Sequence, residues 1–159
     1  MVNVTFIVVG GLKEGYLRDG VAEYMKRLSG FCRPITVELK ESRLPDNPSE
    51  GEISASLESE ADKILASVPP RAFKIAFCVE GKQYSSEKLA KVIDGACMEH
   101  SDICFIIGSS FGLSPRVKSA ADLRLSVSEL TFPHQLMRLV SAEAVYRAFN
   151  IIKGTKYHK

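Results

Sequence analysis

Short apolar runs bounded by turn residues alternate along the chain with longer stretches in which apolar positions recur every three to four residues. That alternation predicts an α/β domain with a mainly parallel sheet, because runs of unbroken apolar character suit strands covered on both faces. The predicted strands are Val2 to Val9, Pro34 to Leu39, Phe73 to Val79, Ile103 to Ile107 and Leu123 to Val127. Helical spacing covers Glu14 to Leu28, Glu50 to Ser67, Ser86 to His100, a short segment near Pro115 to Ala120, and a long one from Pro133 to Ile152. Glu41 to Gly51, carrying Pro45, Asn47 and Pro48, reads as an exposed loop. Ser85-Ser86-Glu87 has the form of a capped helix start, and Thr131 is placed to cap the last helix, which Pro133 helps begin.

With 159 residues, 45% of them hydrophobic, the chain is expected to form one domain spanning 1–159. The opening apolar run is shorter than a membrane span and has no basic leader, so a buried strand and a cytoplasmic protein without membrane contact are expected. The four cysteines (Cys32, Cys78, Cys97 and Cys104) show no C-x-x-C spacing, and neither disulfides nor a metal site is expected. Net charge is +2, but its distribution is uneven. From Pro133 onward five basic residues face the single acid Glu143, a local +4, leaving 16 basic and 18 acidic residues elsewhere, a net −2. A basic end fits either an anionic partner such as nucleic acid or a solvated tail.

Four features bear on chemistry. Ile103 to Ile107 runs directly into Gly108-Ser109-Ser110-Phe111-Gly112-Leu113, and a glycine loop at the carboxyl end of a buried strand is where α/β proteins bind ligands. A tight strand-to-helix turn also needs glycines. The spacing lacks the fingerprint of dinucleotide folds and the Lys-Ser/Thr of a phosphate loop, which disfavours a nucleoside triphosphatase. Second, His134 and Arg138 lie four apart on one helical face with Ser141 a turn further on, so three polar groups are expected to converge near the helix start. A lone histidine is also a common structural residue. Third, that helix is apolar around most of its circumference, which requires cover on more than one side, by a second copy in a homodimer or within a monomer core. Fourth, Lys153 to Lys159 closes the chain with cations, a tyrosine and a histidine that suit phosphates and a stacked base.

Together these residues resemble the RlmH family of SPOUT methyltransferases. The resemblance spans the chain: Gly10-x-Leu12-Lys13, Gly81-x-x-x-Ser85-Ser86-Glu87, Phe105 to Gly108 with Gly112-Leu113, Leu130-Thr131-Phe132-Pro133-His134-Gln135-x-Met137-Arg138, Tyr146-Arg147-Ala148 and the closing Tyr157-His158-Lys159. It implies an α/β fold with a C-terminal trefoil knot, the knot and cofactor site lying in about 103–159, and a homodimer. It also implies methylation of N3 of a pseudouridine in 23S rRNA, recognised in the large subunit or the 70S ribosome. By position, S-adenosyl-L-methionine would contact Phe77, Gly108, Val127, Ser128, Glu129, Leu130, Thr131 and Phe132. RNA would meet Arg147, Lys156, Tyr157 and Lys159. The imide proton would pass to His134 or to His158, the latter from the same or the opposite subunit, with Arg138 steadying charge on the uracil carbonyls, or to solvent while the protein only positions the base. Phe77, Cys78, Ser109 and Phe111 depart from the usual pattern, and Ser109 is expected to narrow the glycine loop. The alternatives are a noncatalytic RNA-binding or ribosome-associated protein on the same fold, and a flavodoxin-like nucleotide switch.

Overall fold

The computed structural model describes residues 1–159. Ten elements follow in the order β1 (Asn3–Val9), α1 (Gly15–Leu28), β2 (Arg33–Leu39), α2 (Glu50–Ser67), β3 (Phe73–Gln83), α3 (Ser86–Glu99), β4 (Asp102–Ile107), α4 (Pro115–Ala120), β5 (Leu123–Ser126) and α5 (His134–Ile152). The strands form one five-stranded sheet in the order β2-β1-β4-β3-β5, parallel at every pairing. The order reverses direction between β1 and β4, and such a switch point opens a crevice at the carboxyl ends of the strands.

Side-chain alternation divides the core into two layers. Val4, Phe6 and Val8 of β1 join Ile103, Phe105 and Ile107 of β4 against helical residues including Leu28, Ile93, Val145 and Phe149, so α1, α3 and α5 cover that face. Ile7, Val9, Cys104 and Ile106 point the other way, onto Ala61 and Ile64 of α2 and Val117 of α4. Central strands buried on both faces are the reason the apolar runs of β1 and β4 are continuous. Complete burial of one such isoleucine or phenylalanine contributes roughly 1.5–3 kcal/mol.

Ser85 accepts from the Lys88 amide, as its place at a helix start predicts; the structure adds Ser114, which accepts from Val117 ahead of Pro115, and a capping box of Ser49 and Glu52 that begins α2 where the exposed loop ends. Buried Glu60 reaches back from α2 to accept from the Ser42 amide at 3.0 Å, tying that loop to the body. At α5 the expectation fails: Pro133 itself is the N-cap, no side chain caps the helix, and Thr131 is exposed in the preceding turn. α5 lies between α1 and α3, and no residue from His134 to Ile152 is exposed, so much of its apolar circumference is covered within one chain.

The largest departure from the predicted elements is β3. It continues past Val79 to Gln83, and its ladder with β5 jumps from Phe77 to Lys82, both opposite Leu125. The intervening residues arch around β5. A Cβ on Gly81 would stand 2.6 Å from the Leu125 carbonyl carbon and 2.7 Å from the Ser126 nitrogen, so only glycine lets the arch close. β5 ends at Ser126, one residue short of the predicted Val127.

Candidate functional site

The ends of β3, β4 and β5 and the start of α5 enclose a cavity of about 270 Å³. Its floor is apolar, with Phe77, Ile107, Leu113 and Leu125 nearly buried and Phe77 packed on Phe105 at 6.1 Å between ring centroids. One wall is the glycine loop. The Gly112 amide donates to the Ser109 carbonyl at 2.9 Å, and Gly112 has φ +84°, a left-handed conformation that disfavours a side chain. A Cβ on Gly108 would lie 2.2 Å from the Gly112 carbonyl oxygen. The two glycines therefore close a tight turn whose backbone also lines the cavity. Ser109 is 6% exposed and fits inside this turn, while Phe111 projects from its rim.

The facing wall follows β5. Ser126 Oγ donates to the Ser128 carbonyl at 3.0 Å and Ser128 Oγ accepts from the Leu130 amide at 3.0 Å, which bends the chain before α5. Val127, Ser128, Leu130, Thr131 and Phe132 line the cavity; Glu129 does not. His134 and Met137, on the first turn of α5, complete this wall.

The polar groups on α5 converge only in part: His134 and Arg138 both stand beside Gly10, but only His134 lines the cavity. His134 faces the cavity, and its Nε2 lies 3.9 Å from where a Gly10 Cβ would stand, near Glu41 at the carboxyl ends of β1 and β2. Arg138 does not line this cavity. It is 7% exposed and donates from Nη1 to the Gly10 carbonyl at 3.3 Å and to Glu38 Oε2 at 3.0 Å. Ser141 is buried and donates to the Arg138 carbonyl. Residues four apart are offset by about 40° around a helix, so Arg138 reaches Glu38 on β2 while His134 reaches the cavity.

The chain end folds back on α5 and α3. His158 Nε2 is 2.9 Å from Glu87 Oε1, and its Nδ1 lies 3.4 Å from Arg147. Arg147 pairs with Glu143 at 2.7 Å and stacks over the Tyr157 ring, whose hydroxyl donates to Glu143 at 3.0 Å. The Tyr157 ring meets Tyr146 edge-on at 4.8 Å. Burial first, then hydrogen bonds with Tyr24 and Glu143, push the Tyr157 hydroxyl well above its ordinary pKa. The imidazole of His158 holds Glu87 down to about 2, helped by the Glu87 backbone amide and Ser85. Lys156 and Lys159 remain exposed, and no tail residue lines the cavity of its own chain.

Two ionised groups on the cavity wall were not among the expected site residues: Glu80, in the arch of β3, and Lys118, on α4, which pair with each other. The Lys118 ammonium holds the Glu80 carboxyl below its ordinary pKa. Nothing in local pattern marks either, since the arch exists only through its pairing with β5. Beside them Cys78 is half-buried, and desolvation raises its thiol pKa, so it is a neutral part of the wall. No group of three or more His, Cys, Asp or Glu side chains is arranged to hold a metal ion, and no helix is long and apolar enough to cross a membrane.

A parallel α/β sheet with a cavity at its strand ends, closed by a glycine loop and a polar turn, is the arrangement in which proteins of the α/β class hold small ligands. Residues 2–158 match the family described as "Predicted SPOUT methyltransferase", and the chain belongs to the SPOUT methyltransferase family. It is 52% identical over 158 residues to the ribosomal RNA large subunit methyltransferase H of Streptococcus thermophilus, covering 99% of each chain. Proteins of the same name from Levilactobacillus brevis and Bacillus pumilus are 48% and 46% identical over the same share of both chains. Among solved structures, a tRNA methyltransferase from Aquifex aeolicus superposes with a TM-score of 0.52 at 14% identity, over 91% of this chain and 69% of that one. A probable methylase family protein from Haemophilus influenzae gives 0.53 at 14%, over 98% and 68%. At that identity the likeness is one of fold.

Proposed function

We propose that this protein transfers a methyl group from S-adenosyl-L-methionine to N3 of a pseudouridine in 23S rRNA, within the large subunit or the 70S ribosome in the cytoplasm. The observation that carries the proposal is end-to-end identity of about half with proteins named for methylation of large-subunit ribosomal RNA. A C-terminal trefoil knot and a homodimer belong to the same proposal. The arch of β3 around β5 is compatible with a threaded chain, and the exposed Val79, Phe111 and Leu130 around the cavity mouth are apolar groups that a second copy would cover.

The cavity suits the proposed cofactor. Phe77, Ile107, Leu125 and Met137 offer apolar surface for a flat base, and the turn around Gly108 and the bend from Val127 to Phe132 expose backbone polar groups beside it. Phe77, Gly108, Val127, Ser128, Leu130, Thr131 and Phe132 would hold the cofactor; Glu129 stands in the same segment but outside the lining. When bound, S-adenosyl-L-methionine supplies a methyl group on a positive sulfonium, open to in-line attack.

The chain's own task is to position the base and remove its proton. An imide N3-H is a weak nucleophile until it is deprotonated, and a positioned base contributes about 10² to 10⁴ in rate. His134 is the histidine at the cavity and takes this role. Arg138 acts one step back as a positioning residue, because its guanidinium ties α5 to the Gly10 carbonyl and Glu38 beside His134. Arg147, Lys156, Tyr157 and Lys159 hold the RNA, and His158 of the partner subunit reaches the cavity in the dimer. The test is to incubate the protein with ribosomes lacking the modification and labelled S-adenosyl-L-methionine, then map the label by mass spectrometry. Label on N3 of one pseudouridine is expected; label on a different base overturns the substrate, and no label overturns the activity.

A further inference from the structure

Charge is scarce on the cavity wall, and the fixed charges that exist are adjacent. Apart from His134, the groups with an ionised form at neutral pH are Glu80 and Lys118, and each is the other's partner. The remaining side chains are apolar or carry hydroxyls, with one neutral thiol. Both charged groups are carried on regular elements. Glu80 sits where β3 arches over β5, and Lys118 is carried by α4. Arg116, on the same helix, pairs with Glu58 at 3.1 Å and Asp62 at 2.6 Å, which ties α4 to α2.

A matched pair on an otherwise uncharged wall selects a ligand by its own charge pattern. A phosphate would gain Lys118 but face Glu80, and an isolated cation would face the reverse. A zwitterion with its two charges on neighbouring groups satisfies both: the single ion pair opens into two, with no charge left unpartnered. The side chains are 24% and 55% exposed, so water reaches them and opening the pair costs little.

From this geometry we infer that Glu80 and Lys118 form the subsite for the amino-acid end of an adenosyl thioether or sulfonium ligand. The Lys118 ammonium donates to the ligand's α-carboxylate, and the Glu80 carboxylate accepts from its α-ammonium. The inference rests on the adenosyl-cofactor reading above and adds the specificity-determining pair to it. The apolar floor takes the nucleoside, and the charged pair excludes nucleotides that end in phosphate.

Calorimetry on the full chain separates the two claims. S-adenosylhomocysteine carries the zwitterion; 5′-methylthioadenosine is the same adenosyl thioether without it. Wild-type protein is expected to bind the first at least about ten-fold more tightly. Lys118→Ala and Glu80→Gln should each weaken S-adenosylhomocysteine by about ten-fold and leave methylthioadenosine unchanged, the unchanged affinity also showing that the cavity is intact. Equal wild-type affinities for the two ligands, or substitutions that weaken both alike, overturn the subsite while the adenosyl site stands. Binding of neither ligand at millimolar concentration removes the adenosyl site and the subsite with it.

Discussion

The cavity and the chain end both carry residues expected to meet ligands, yet the structure treats them in opposite ways. The cavity walls are shaped by backbone: a turn that only glycine can make at Gly108, and a serine-bonded bend after β5. Its surface is left open. At the chain end the functional groups of Arg147, Tyr157 and His158 are already engaged with Glu143 and Glu87, while Lys156 and Lys159 stay free. A rigid, open cavity suits a small cofactor that must be bound in one pose, whereas a tail held by exchangeable charged contacts can be re-partnered by RNA.

Removing Tyr157 to Lys159 gives the largest expected effect. Methyl transfer to ribosomes should fall by at least about 10²-fold, the cost of a misplaced substrate once the groups that hold the RNA are gone, with calorimetric binding of the cofactor unchanged. Retained transfer would take the tail out of the mechanism and erase the division between the two regions. Next is Gly108→Val, which forces a side chain into the Gly112 carbonyl. Cofactor affinity should fall about 100-fold and thermal stability should drop by about 1–3 kcal/mol, the usual cost of overpacking. Affinity near wild type would show that the loop backbone does not shape the site.

Arg138→Met keeps volume and removes the tie from α5 to Gly10 and Glu38. Because Glu38 is half-exposed and water can replace its partner, the expected cost is about 1–2 kcal/mol by urea unfolding. The turnover number should fall while the affinity for cofactor holds; a drop in affinity alone would place Arg138 in binding. The smallest effect is at the tail latch. Glu87 titrates at about 2 rather than 4.5 chiefly because of His158, so its contact is complete above the ordinary carboxylate range and is lost as pH falls from about 4.5 toward about 2. His158→Ala should move the Glu87 midpoint upward, toward its ordinary value, in carboxyl NMR titration. An unmoved midpoint would mean that His158 does not hold Glu87 and that Tyr157 alone anchors the tail.

Much of the fold was legible because its signals are local. Continuous apolar runs marked β1 and β4, and the serine cap read at 85 accepts from the amide three residues on, a contact that needs no tertiary partner. The glycine loop was legible from its place after β4 and the segment from Val127 to Phe132 through family resemblance, and all but Glu129 line the cavity. The continuation of β3 was not, since Glu80-Gly81-Lys82 has a turn-like composition and becomes strand only by pairing with β5. Arg138 illustrates the same limit: spacing placed it on the face of His134, but Glu38, a hundred residues earlier, drew its guanidinium away from the cavity.

The sequence by itself determined the alternation of elements, the glycines that its loops require and the basic excess at its end, because backbone propensity, apolar periodicity and charge are properties of neighbouring residues. Tertiary structure alone decided that Glu80 and Lys118 share a cavity wall, that Arg138 faces β1 and β2, and that His158 lies against Glu87. Those are meetings between residues 38 to 100 positions apart, and only the closed sheet and its helices bring them within hydrogen-bonding reach.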